Sequence, residues 1–85
     1  MTTYRLEHKR DGHNKFYELW AGAYVNKKTG KTDSAFVGMR YGRIGTEGRT
    51  IFKEFKGKTP RADAHVFLDA KVNEKMRKGY KLTRR

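Results

Sequence analysis

The residues from Arg40 to Arg49 carry the side chains best suited to bind an anion. They read RYGRIGTEGR and hold three arginines, one tyrosine and three glycines at a spacing of three, Gly42, Gly45 and Gly48. An arginine guanidinium is a planar donor that can bind a phosphate through two parallel hydrogen bonds. A tyrosine ring beside it can stack on a base or a sugar, and glycines let a ligand approach the backbone closely. This combination indicates a phosphate-bearing ligand.

The sequence offers little for catalysis or for metal binding. The chain has no cysteine, and its only serine, Ser34, has no nucleophile-elbow motif around it. Its three histidines, His8, His13 and His65, lack metal-ligand spacing. The glycines are not followed by the Gly-Lys-Ser/Thr of a Walker loop, nor by the helix that a dinucleotide-binding motif requires. We therefore predict a protein that is not an enzyme and that has no metal site and no cofactor.

The charge of the chain indicates a polyanionic partner. Among 85 residues, 21 Lys and Arg stand against nine Asp and Glu, which gives a formal net charge of +12. A chain this basic attracts nucleic acid. No apolar run is long enough to span a membrane, and the N-terminus lacks the apolar core of a secretory signal. We expect a cytoplasmic monomer with a nucleic-acid partner and no membrane partner.

Alternating apolar residues predict strands on both sides of the arginine-rich stretch. The strand-like segments are separated by polar or glycine-containing turns, and they cover about residues 3–10, 15–25, 34–42 and 49–56. The second segment is apolar on both faces, with Phe16, Trp20 and Tyr24 on one of them. Such a strand belongs in the middle of a sheet or presents a functional aromatic face.

One helix is predicted after the strands. Thr59 is a good N-cap, and Pro60 fits the first helical position. Gly79 is a suitable C-cap, and between them the apolar stripe that recurs every four residues is Ala64, Leu68, Val72 and Met76. The chain is therefore predicted to be a single α+β domain, residues 1–85, with an antiparallel β-sheet of about four strands and one C-terminal α-helix packed across it. Residues 84–85 are expected to be frayed.

Several of these segments resemble the WGR domain, a family named for its Trp-Gly-Arg signature. Residues 41–46, YGRIGT, are similar to that signature, with Tyr41 in place of the tryptophan. Residues 14–19, NKFYEL, are similar to the family's Asn-Lys-aromatic-Tyr-x-Leu strand. Further matches follow downstream in the expected order, at Lys53-Glu54-Phe55, Ala64, Leu68, Glu74-Lys75 and Gly79-Tyr80. The resemblance covers about residues 4–82 and implies a DNA-binding module like that of the DNA-dependent poly(ADP-ribose) polymerases.

The resemblance implies roles for particular positions. In the polymerases the signature tryptophan packs at the terminal nucleotide of a DNA break, which implies the same place for Tyr41. Residues at the positions of Asn14 and Lys15 lie near the DNA backbone there. The residues themselves leave alternatives open, because Tyr41 also continues the core face of its strand and Asn14 can begin an Asx turn. Arg43, likewise, can hold a phosphate or form an internal ion pair with Glu18 or Glu47.

We predict a nucleic-acid-binding module that favours DNA over RNA, contacts mainly the phosphate backbone and binds at strand ends or nicks. The predicted nucleic-acid-binding residues are Asn14, Lys15, Arg40, Tyr41, Arg43 and Arg49. Little sequence specificity is expected, since no element is suited to reading base edges in a major groove. Two alternatives stay open. One is a protein-interaction module with an aromatic patch of Phe16, Trp20 and Tyr24, and the other is an accessory subunit of a separate DNA-processing enzyme.

Overall fold

The protein folds as a five-stranded antiparallel sheet with one helix packed on one face. The computed structural model describes residues 3–84. Its elements are β1 (Thr3–His8), β2 (Lys15–Val25), β3 (Thr32–Arg43), β4 (Arg49–Phe55), α1 (Pro60–Arg77) and β5 (Lys81–Arg84). The strand order is β4-β3-β2-β1-β5, and every neighbouring pair is antiparallel. The predicted α+β class, with one C-terminal helix across an antiparallel sheet, is confirmed.

The fifth strand was missed by the prediction of about four strands. β5 pairs with β1, with Leu82 opposite Leu6. Its four residues are too short a segment for an alternating pattern to be visible. Arg84 belongs to this strand and pairs with β1, so the expectation that it frays was wrong. Arg85 lies outside the described residues.

The helix buries a stripe of residues spaced by four, which are Pro60, Ala64, Leu68 and Val72. The prediction that Met76 continues this stripe was wrong, because Met76 is 47% exposed. In the last turn the inward position is taken by Lys75, which follows Leu68 by seven residues and therefore lies on the same helix face. The stripe packs on β2 and β3, and the core between the two layers includes Leu6, Leu19, Val37 and Leu68.

The two ends of α1 differ in how they are capped. Thr59 occupies the N-cap position and Pro60 begins the helix, as predicted, but the Thr59 side chain makes no capping hydrogen bond. Its hydroxyl donates to Asp63 Oδ1 at 3.2 Å instead. Gly79 ends the helix as predicted, with φ +104°. The Gly79 N–H donates to the Met76 carbonyl and the Tyr80 N–H to the Lys75 carbonyl, which is the Schellman pattern.

The face of the sheet opposite α1, called the open face from here on, carries a charged network near the end of β3. Glu18 accepts hydrogen bonds from Arg40 at 2.7 and 2.9 Å and from Arg5 at 2.9 Å. Both guanidinium groups lie over the ring of Phe16, 4.8 and 4.9 Å from its centroid. Phe16 is only 1% exposed as a result. It is therefore a buried residue, and its predicted place in a surface aromatic patch was wrong.

Within residues 3–84, no helix combines the length and the apolar character that a membrane crossing requires.

Candidate nucleic-acid interface

A cleft of about 620 Å³ opens on the α1 side of the sheet, where β2 begins and β3 ends. The predicted residues Asn14, Lys15, Tyr41 and Arg43 all line it. The turn before β2, the last turn of α1 and the residue before β5 complete the lining, together with side chains of the sheet; these residues are Gly12, His13, Tyr17, Gly42, Ile51, Lys75 and Tyr80. The antiparallel sheet therefore brings together most of the predicted site.

Two cations face each other at the rim of the cleft. Lys15 on β2 is directly opposite Arg43 on β3, and both are exposed. Like charges at opposite positions of an antiparallel pair repel each other, and neither side chain makes an ion pair with another residue in the described part of the chain. Arg43 does not pair with Glu18, which was one of the predicted alternatives, because Arg40 and Arg5 form ion pairs with that carboxylate. An anion between Lys15 and Arg43 would remove their repulsion.

Tyrosine rings form the wall of the cleft. Tyr17 and Tyr41 stack nearly parallel, with centroids 5.3 Å apart and planes at 11°. Tyr80 meets Tyr17 edge-on at 6.4 Å. Burial raises the pKa of Tyr17 and of Tyr80 above the ordinary value of 10. A tyrosine hydroxyl is protonated at neutral pH even without such a shift, so both can donate hydrogen bonds. Tyr41 is half-buried: it packs on a neighbouring ring, as the core alternative predicted, and it also lines the cleft.

Lys75 is a cleft residue that was not among the predicted site residues. Its side chain is 16% exposed, and Nζ lies 4.6 Å from the centroid of the Tyr17 ring. Burial, and next the positive charge of Lys78, lower the pKa of Lys75. The sequence could have indicated Lys75, because its spacing places it on the buried face of α1. A lysine on such a face must extend its ammonium group out of the apolar core, toward a cleft or the solvent.

The glycine-rich connection between β3 and β4 fixes the position of Arg43. The Ile44 N–H donates to the Asn14 carbonyl at 2.9 Å, which ties this connection to the turn before β2. Gly48 has φ +69°, and a Cβ there would collide with the Tyr41 carbonyl and lie 2.9 Å from Phe16 Cζ. A glycine is therefore required at this position by the close packing of the chain on itself. This packing explains Gly48 without the close approach of a ligand that the sequence suggested.

The remaining predicted residues lie in different places. Arg49 is exposed and directly opposite Tyr41 in the sheet, on the cleft side. Arg40 lies on the open face, where it donates to Glu18 and, at 2.8 Å, to the Glu47 carbonyl. Arg40 is thus separated from the other predicted residues and holds the connection between β3 and β4 in place. The Asx-type turn in the described chain is made by Asn26, whose Oδ1 accepts from the Lys28 N–H, and not by Asn14. The Asn14 side-chain amide makes no hydrogen bond with the described residues, so its oxygen can accept and its NH2 can donate.

Titratable side chains are not arranged for metal binding in the part of the chain that the structure describes: no group of three or more His, Asp or Glu within residues 3–84 has the geometry of a metal site.

Comparison with protein-family models matches residues 2–85 to the WGR domain. Because the match spans essentially the whole chain, the chain belongs to the WGR domain family, and the resemblance seen in the sequence is confirmed. The WGR domain is a non-catalytic module that binds nucleic acid in proteins like the poly(ADP-ribose) polymerases. Neither the curated proteins nor the solved structures that were compared gave a match.

Proposed function

We propose that this chain is a non-catalytic module that binds DNA through the phosphate backbone, at or near a strand end, in the cleft. Lys15 and Arg43 hold one phosphate between them, and Lys75 adds positive charge deeper in the cleft. Tyr41 stacks on the terminal base or sugar. The amide of Asn14 orients a phosphate oxygen of the same nucleotide.

The observation that carries this proposal is the pair of facing cations, Lys15 and Arg43, at the mouth of a cleft with an aromatic wall. The cations favour a phosphate, and the rings favour a base or sugar, so the complete ligand is a nucleotide. Inside a continuous duplex both faces of a base are covered by neighbouring pairs, and only a terminal nucleotide exposes a face for stacking. Arg49, exposed beside Tyr41, is placed to hold the next phosphate along the strand.

Membership of the WGR family supports nucleic acid as the ligand. The preference for DNA over RNA rests on the resemblance to the polymerase module.

The test is fluorescence anisotropy with three labelled DNA duplexes of one sequence: blunt with a 5′ phosphate, blunt without it, and closed at both ends by hairpins. An RNA duplex is the fourth probe. We expect the phosphorylated end to bind tightest. We also expect Arg43→Ala to weaken its binding about tenfold, the size of losing a charge-assisted hydrogen bond, and to make the salt dependence shallower by about one phosphate contact.

Arg61→Ala is the matched control, because Arg61 is an exposed arginine on the first turn of α1, at the other end of the sheet from the cleft. It should change the affinity by less than about twofold. Equal losses of affinity in Arg43→Ala and Arg61→Ala would mean that the DNA is held by the overall positive charge and not by the cleft. Equal binding to the open and closed duplexes would remove the strand end from the proposal, and no binding at physiological salt would overturn it in favour of a protein partner.

A further inference from the structure

The open face carries a second feature that the cleft does not use, a row of four aromatic rings. We call it the aromatic platform and define it as Trp20, Tyr24, Phe36 and Phe52. Phe52 meets Trp20 at 6.0 Å and Phe36 at 6.1 Å between centroids, and Phe36 meets Tyr24 at 5.6 Å. The rings come from β2, β3 and β4, so they form one continuous strip across three neighbouring strands.

Two glycines allow rings of the platform to lie against the sheet. Gly38 is opposite Trp20, and Gly22 is opposite Phe36 in the β2–β3 register. A Cβ at Gly38 would overlap the indole of Trp20, and a Cβ at Gly22 would overlap the ring of Phe36. Each ring therefore occupies the space above a backbone that has no side chain. Rings held in this way cover bare backbone on one side and leave the other side for a ligand.

Phe52 and Tyr24 project from this layer. They are 65% and 59% exposed, whereas Trp20 and Phe36 are half-buried. The Phe52 ring stands at 82° to the indole of Trp20 and at 68° to the ring of Phe36. Two rings against the sheet with an upright ring between them can accept two planar groups, one on each side of Phe52. Exposed aromatic rings on a sheet are the usual means of stacking unpaired bases.

Positive charge lies beside the platform. The hairpin loop that follows Tyr24 carries Lys27, Lys28 and Lys31, which are all exposed and make no ion pair with the described residues. The Asn26 side chain accepts the Lys28 N–H at 2.9 Å, and the Asn26 N–H donates to the Lys31 carbonyl at 2.8 Å, so the loop is internally hydrogen-bonded. A strand whose bases lie on the platform would bring its phosphates to these lysines.

Few acidic groups oppose such a strand. Glu54, beside Phe36 in the sheet, is paired with Lys56 at 3.7 Å. Asp33, at the start of β3, is exposed. A protein partner would be expected to fill a groove with its own side chains, whereas the platform is a strip of rings on the face of a sheet, in a chain with a net charge of +12. The charge complementarity favours a nucleic acid.

We propose that the open face is a second binding site, specific for single-stranded nucleic acid, in which unpaired bases stack on the aromatic platform and lysines of the β2–β3 loop hold the phosphates. This site is separate from the cleft, since it lies on the other face of the sheet. The basic loop and the cleft are also at opposite ends of β2, whose 11 residues span roughly 35 Å. The proposal does not rest on end binding in the cleft.

The test uses a covalently closed circle of single-stranded thymidines, which has neither a duplex nor an end. Its binding is followed by anisotropy and by the fluorescence of Trp20, the only tryptophan in the chain. We expect the circle to bind and to quench Trp20. The double variant Phe52→Ala/Tyr24→Ala should lose about tenfold or more in affinity, as expected for lost base stacking. Both residues are exposed, so the fold should survive, and circular dichroism checks it.

Val66→Ala is the matched control, because Val66 is an exposed apolar residue on α1, away from the open face. It and Arg43→Ala should leave the affinity for the circle within about twofold. The proposal is overturned if the circle does not bind, if it binds without quenching Trp20, or if the double variant binds it normally. An equal loss of duplex binding in the double variant would also overturn it. Failure of end recognition in the duplex experiment, by contrast, leaves these expectations unchanged.

Discussion

Lys75 holds its positive charge in a place that disfavours it. Its folded pKa is lowered below the ordinary value of 10.5, first by burial and then by Lys78. A lysine with a lowered folded pKa destabilises the folded protein at neutral pH, and stability rises only as the pH rises toward 10.5 and the unfolded chain also loses its proton. The stacking of its ammonium on Tyr17 and the Glu74 carboxylate 3.8 Å away offset part of this cost. An anion bound in the cleft would offset more of it.

Lys75→Met tests this interpretation at a single residue. Methionine keeps the length of the side chain and removes the charge, so we expect the midpoint of thermal unfolding at pH 7 to stay the same or to rise. We expect duplex affinity to fall about tenfold, in line with the loss of one charge-assisted contact. Lys58→Met, at an exposed position in the loop before α1 and at the other end of the sheet from the cleft, should change neither quantity strongly. A clear fall in the unfolding midpoint of Lys75→Met would instead show that the ammonium is structural.

At the scale of single residues, the sequence predicted the cleft only in part. Arg43 and Lys15 were predicted because each is a cation beside informative neighbours in the sequence: Arg43 lies in the glycine-rich stretch, and Lys15 follows Asn14 at the start of a strand. Lys75 and Tyr80 lie far from them in sequence, and only the packing of α1 and the pairing of β5 bring them to the same cleft. The separation of Arg40 from the other predicted residues follows from the period of two along β3, which turns it to the other face.

The connection between β3 and β4 is the element that positions Arg43, and its geometry depends on Gly48. An alanine at φ +69° is strained by about 1–2 kcal/mol. At Gly48 the added methyl would also collide with the Tyr41 carbonyl. Gly30 offers a matched control, because its φ is +72° and nothing lies within 4 Å of its missing Cβ.

We expect Gly48→Ala to lower the free energy of unfolding by at least about 1 kcal/mol more than Gly30→Ala does, because only Gly48 adds a steric clash to the backbone strain. In a domain of this size that difference lowers the unfolding midpoint by about a further 4–8 °C. Thermal unfolding followed by circular dichroism measures both variants. Equal losses would mean that the connection moves to accept the methyl group.

Elements with a long, regular pattern were predictable, and short ones were not. The stripe of α1 from Ala64 to Val72 and the alternation of Ala35, Val37 and Met39 along β3 span enough residues to define a period. β5 has only four residues, and its strand conformation comes from pairing with β1 rather than from its own pattern. The number of strands was therefore underestimated, whereas the class of fold was predicted correctly.

At the scale of the whole molecule, the excess of positive charge makes the few carboxylates important for stability. Burial alone would raise the pKa of Glu18, but the hydrogen bonds from Arg40 and Arg5 outweigh it and hold the pKa below the ordinary value of 4.5. A carboxylate with a lowered folded pKa stabilises the protein above the unfolded pKa. That contribution is lost as the pH falls from about 4.5 through the folded pKa.

Glu18→Gln tests this contribution. At pH 7 we expect the variant to lose about 1–3 kcal/mol of unfolding free energy, because Arg40 and Arg5 lose their ionised acceptor. The difference from the unmutated protein should shrink as the pH falls below 4.5, since protonation removes the same charge there. Urea unfolding across this pH range measures it. Glu54→Gln is the control, because its pair with Lys56 is exposed and weak. A constant difference at all pH values would contradict an electrostatic role for Glu18.

The pairing of β5 with β1 has a consequence for how the chain is made. Among the described elements β1 is made first, and β5, which covers its outer edge, is made last. Until β5 has been made and has left the ribosome, the backbone groups on that edge of β1 have no partner, and such an edge can pair with a neighbouring nascent chain. A chain that lacks residues 81–84 would therefore fold into a nearly complete sheet whose exposed β1 edge can pair with the same edge of another copy.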